Sequence, residues 1–100
     1  MALQAAFYRR YFPAVPSPWV ALQGSGDSVY AALPGIVDGM TDGQYAALVD
    51  LLYDIGNPAF VATNLCRMLL AGNFAMATAE FTNISGTGDR RAFEKAVWLA

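Results

Sequence analysis

The chain has no histidine, a single cysteine and only fourteen charged side chains in one hundred residues. Each shortage removes a class of function. Without histidine, neither a Cys–His nor a Ser–His nucleophile pair can form. One cysteine and no clustered acids leave nothing for a zinc site, so no metal or cofactor is expected. Cys66 cannot form an internal disulfide, and between Leu65, Met68 and Leu69 it reads as a small buried hydrophobe. Six basic residues against eight acidic ones give a net charge of −2. That excludes charge-driven binding to nucleic acid, which needs clustered lysine and arginine to release counterions. No N-terminal signal is visible, since Arg9 and Arg10 follow the first apolar residues. The longest uncharged run, residues 11–26, is broken by prolines and glycines and is no membrane span. A cytoplasmic location is expected on those grounds. No glutamate occurs before Glu80.

What the chain has in quantity is apolar surface. Hydrophobic residues make up 56% of it, enough for one well-packed domain spanning residues 1–100, with some left over for a partner or a homodimer. The residues group into two stretches. Residues 1–40 are punctuated by proline and glycine, which limits helices to short pieces. "SPWVALQG" has an N-cap at Ser17, a proline at the first helical position and a closing glycine. "DSVYAALPG" repeats the arrangement with Asp27 as cap.

From residue 41 onward the pattern is regular. "TDGQ" is a capping box in which Thr41 and Gln44 exchange side-chain and backbone bonds. It opens a helix over 42–55 with Tyr45, Leu48, Val49, Leu52 and Ile55 on one face, closed by Gly56. Asn57 and Pro58 restart the chain as cap and first residue. The next apolar stripe is Phe60, Val61, Leu65, Met68 and Leu69, ending at Gly72. "FAMATAEF" forms a short helix. The last helix is capped by Asp89 and has an apolar face of Ala92, Phe93, Ala96, Val97 and Leu99. No alternating β-branched run exists to make a strand. The fold expected is all-α, a compact single domain of about six short helices around the central one at 42–55.

The order of the later pieces carries a resemblance. A capping-box T-x-x-Q opens a helix with A-L-V, and I-G-x-x-x-F, T-N-L-x-R-M-L, A-G-N-F-x-x-A and R-R-x-x-E-K-A follow. These lie at Thr41 to Val49, Ile55 to Phe60, Thr63 to Leu69, Ala71 to Ala77 and Arg90 to Ala96. The set resembles the C-terminal helical lobe of the phage-type lysozymes, muramidases that cut peptidoglycan. In that family the resemblance implies an essential glutamic acid near the N-terminus, in an E-G-x-x-x-x-x-Y motif followed by a small sheet. Residues 1–40 offer only Asp27 and Asp38, and no position matches, so no catalytic residue carries over.

Glycoside cleavage usually needs two carboxyls across the bond. Asp50 and Asp54 share a helix face at i, i+4 and form the alternative acidic face, though a solvated polar face is the simpler reading. Glu94, between Arg90, Arg91 and Lys95, reads as an exposed ion-pair cluster. A non-catalytic binder is therefore expected. Its interaction surface falls on Tyr8, Arg9, Arg10, Phe12 and Trp19, the residue types that dominate protein interfaces, with Phe7, Tyr11 and Phe12 also available to cover the core. Three functions fit: inhibition of a host protein (a defence protein among the options), peptidoglycan binding without cutting, and a divergent muramidase using Asp50 or Asp54.

Overall fold

A computed structural model describes residue 10, residues 19–84 and residues 88–99. Its described residues form six α-helices and no strand: α1 Trp19–Ala32, α2 Asp42–Ile55, α3 Asn57–Val61, α4 Asn64–Leu70, α5 Phe74–Glu80 and α6 Gly88–Leu99. Short 3₁₀ turns sit at Val37–Gly39 and Phe81–Asn83. The expected all-α architecture is what the chain adopts.

The central helix begins and ends where the sequence places it. Gln44 N–H donates to Thr41 Oγ1 at 3.1 Å, and Thr41 N–H donates to Gln44 Oε1 at 3.0 Å, closing the capping box. At the other end Gly56 takes φ +82°, a backbone angle that side chains oppose, while its N–H still reaches Leu52 C=O at 2.9 Å. Between these ends α2 is enclosed nearly all round. Tyr45, Leu48, Val49 and Leu52 are buried as expected, but so are Gly43, Ala46, Ala47, Asp50 and Leu51. A helix apolar on every side is a core helix rather than an amphipathic surface one. Helices α6 and α1 pack on it most extensively, and α3 packs against it as well.

Two expected boundaries are corrected. "SPWVALQG" and "DSVYAALPG" do not make separate helices, because α1 runs unbroken through Gly24 and Gly26. Neither glycine takes a positive φ, so nothing obliges the helix to stop. Gly26 is instead buried in line with Val29 and Leu33, at spacings of three and four, on the inward stripe of α1. The pairing with α2 includes Tyr30 and Tyr45, whose ring centroids lie 5.5 Å apart. Conversely, the single helix expected from Pro58 to Leu69 is two. Gly56 rather than Asn57 precedes α3. Thr63 then ends one helix and starts the next, donating to Phe60 C=O at 2.6 Å and accepting from Cys66 N–H at 3.1 Å. The break leaves Val61 exposed while Phe60, Leu65 and Leu69 enter the core.

The C-terminal half closes on Trp98. Its ring lies 5.4 Å from Phe81 and 6.0 Å from Phe74 by centroid, and Nε1–H donates to Thr78 Oγ1 at 2.9 Å. A buried indole with its one donor satisfied ties α6 to α5.

Candidate functional site

Two acids, Asp50 and Glu94, do not sit where charged helix residues normally do. On α6 the inward side chains are Arg91, Glu94 and Trp98, whereas Ala92, Phe93, Ala96 and Leu99 are exposed. The face expected to be apolar and inside is outside, with only Val97 half-buried. Glu94 is 0% exposed and Arg91 3%, so the expected exposed cluster at Glu94 is overturned. Arg91 Nη2 donates to Asp54 Oδ2 at 2.6 Å and to Glu94 Oε2 at 3.1 Å. Its Nε lies 2.9 Å from Glu94 Oε1, an ion pair by distance without hydrogen-bond alignment. Nη1 is buried with no hydrogen-bond partner.

Asp54 and Asp50 stand one turn apart on α2, and the structure separates their roles. Asp50 is 5% exposed, so it belongs to no solvated face. Asp54 retains about a third of its side-chain exposure, 32%, but is fixed to Arg91. Through Asp54, helix α2 presents a carboxylate to α6. The charges clamp two helices together across the core. Asp54 Oδ2 and Glu94 Oε2 both accept from the same guanidinium nitrogen.

A different feature opens to solvent. Where α2 ends, α3, the start of α4 and the end of α5 enclose a groove of about 500 Å³. Ile55, Ala59 and Ile84 supply its apolar lining, and Thr63, Asn64, Glu80 and Asn83 the polar part. The glycine turn at Gly56 swings α3 away from the axis of α2, and the Thr63 break turns α4 again. The concavity is thus a product of the two chain breaks. Its polar groups are partly used. Asn64 Oδ1 accepts from Arg67 Nη1 at 2.7 Å, which leaves its amide N–H groups open. Asn83 Nδ2 donates to Glu80 Oε2 at 3.3 Å, which leaves the Asn83 carbonyl open. Such a lining offers a donor, an acceptor and a carboxylate beside apolar surface, the mixture that fixes amide-bearing ligands.

Of the residues expected to form an interaction surface, Tyr8, Arg9 and Phe12 lie outside the described residues, as do Phe7 and Tyr11. Arg10 is exposed. Trp19 opens α1, and its side chain lies outside the described set. None of the groove residues was singled out by sequence reasoning. The signal available was the polar pair Thr63–Asn64 beside the N-P break, which reads equally well as a helix start. Cys66 is buried as expected, and burial pushes its thiol above the ordinary range, with the Arg67 charge pulling partly back. Among the described residues no group of three potential metal ligands occurs, and no helix is long and apolar enough to cross a membrane.

A family model described as phage lysozyme matches residues 22–94, and the chain belongs to that family. The match is partial and covers the described helices from within α1 into α6, which fits the C-terminal lobe, and it begins upstream of Thr41. Residues 22–40 therefore fall inside the match as well. No curated protein and no solved structure matches the chain.

Proposed function

We propose that this chain acts by binding peptidoglycan through the groove at the end of α2, and that its described carboxylates do not cut it. The observation that carries the reading is the division of labour among the acids. Asp54 and Glu94 are held by Arg91 between two helices, and Glu80 is the one acid lining the groove among the described residues. Glycoside hydrolysis by the usual route needs two carboxyls flanking the scissile bond, and this groove offers one. Membership of the phage lysozyme family supports the wall as the ligand. The amide-matching groups of Asn64 and Asn83 fit a polymer built of N-acetylated sugars and peptides. Inhibition of a host protein, the other binding function open to such a chain, is expected to use Tyr8, Arg9 and Phe12, which lie outside the described residues.

Sedimentation with insoluble peptidoglycan tests the proposal. The protein is expected to pellet with the wall, and substitution of Asn64 and Asn83 by alanine is expected to release it. A protein that stays in the supernatant sinks the reading. Turbidity of a wall suspension tests the second half. Clearing that Asp54→Asn abolishes would show a muramidase instead.

A further inference from the structure

The polar part of the groove is not neutral. Glu80 lies half-buried at the end of α5 and has no cationic partner among the described residues; its one bond is the weak one from Asn83. The guanidinium that bonds to the groove's lining, that of Arg67, is engaged with Asn64 Oδ1 at 2.7 Å and with Ala62 C=O at 3.2 Å. A ligand that fills this groove therefore covers a carboxylate with no counter-charge built in. For a neutral ligand such as a sugar ring, taking Glu80 further from water is a cost. For a ligand carrying an ammonium group, the same burial becomes an attraction. Beside the carboxylate, Ile55, Ala59 and Ile84 give apolar surface on which an aliphatic chain can lie. A methylene chain ending in an amine matches both halves.

We propose that the groove selects an alkylammonium side chain, that of a diamino acid within a peptide, with Glu80 as its specificity-determining residue. The proposal rests on the wall-binding reading above and names the part of the wall engaged: the peptide stem rather than the glycan. The aliphatic stem packs on Ile55 and Ile84, the ammonium meets the Glu80 carboxylate, and the flanking peptide amides meet Asn64 and Asn83.

The test is a titration of the isotope-labelled full chain, followed by amide chemical shifts. One probe is a stem tetrapeptide whose lysine carries a free ε-amine, and the other is the same peptide with that amine acetylated. The free-amine peptide is expected to shift amides at Ile55, Asn64, Glu80 and Asn83, and to bind roughly tenfold more tightly than the acetylated one. Glu80→Gln keeps the shape and the Asn83 contact, and is expected to erase the difference between the peptides. Equal affinity of the two peptides for the unaltered protein overturns the proposal without any variant. So does a difference that survives in Glu80→Gln. Neither peptide binding at millimolar concentration overturns it as well. In that case sedimentation with peptide-stripped glycan separates the two claims: pelleting leaves the wall-binding reading standing with sugar as the ligand, and failure to pellet with glycan or intact wall removes both.

Discussion

Arg91 carries one polar contact from α6 to α2, to Asp54, and two within α6, to Glu94, with its Nη1 left over. Buried ion pairs contribute little against an apolar replacement, because leaving water costs both charges. Breaking one is another matter. Arg91→Ala is expected to destabilise by about 3–5 kcal/mol, since it removes the guanidinium that faces the buried Glu94 carboxylate. Replacing both partners (Arg91→Met with Glu94→Leu) is expected to cost less than the single change. Urea unfolding of the three proteins decides it, and an Arg91→Ala loss below 1 kcal/mol would mean Glu94 reaches water. On the same helix, Phe93→Ser is expected to shift stability by less than about 1 kcal/mol, because Phe93 is already 43% exposed. Cys66 adds a pH dependence. Burial raises its thiol, so the folded state resists ionisation while the unfolded chain ionises at the ordinary value near 9. The stabilisation is complete below that pH and is lost as pH climbs through the raised value. Thermal melts from pH 7 to 10 should show the decline, and Cys66→Ala should flatten it up to the range where Tyr30, also raised by burial and by Asp38, begins to contribute.

At the scale of elements, caps and turns decide the layout. Thr41→Ala removes one half of a reciprocal bond pair and is expected to cost about 1 kcal/mol. Gly56→Ala forces a side chain onto φ +82°, expected to cost about 1–3 kcal/mol even though the space around it is open. An unchanged melting temperature in either variant would mean that α2 does not depend on that end. These two positions were readable in the sequence because capping and glycine turns are local chemistry. The Gly24–Gly26 stretch was misread for the complementary reason. Glycine permits a stop without requiring one, and packing of Gly26, Val29 and Leu33 against the core carried the helix through. Thr63 shows the reverse case, where one hydroxyl serving two helices split a stripe that looked continuous.

For the whole molecule, fold class and the central helix followed from periodicity, and the resemblance to the phage-type lysozymes from collinear short motifs. What did not follow is tertiary. Arg91 and Glu94 sit in a polar run that any one-dimensional reading places on the surface. Only Asp54, thirty-seven positions away, explains why they turn inward. The groove was invisible for a similar reason, since Ile55, Asn64 and Glu80 belong to three helices and meet only once two chain breaks have folded them together.

Helix α2 has almost no surface of its own, and that sets how the protein must open. Its amides cannot meet solvent by fraying or by the lifting of one neighbour, because another helix still covers the opposite side. Deuterium uptake at Ala46 to Leu52 should therefore be the slowest in the chain and should track denaturant concentration with the full slope of complete unfolding. Those seven amides would serve as a gauge of global stability for every variant described above. If they exchanged early, α2 could not be the enclosed helix.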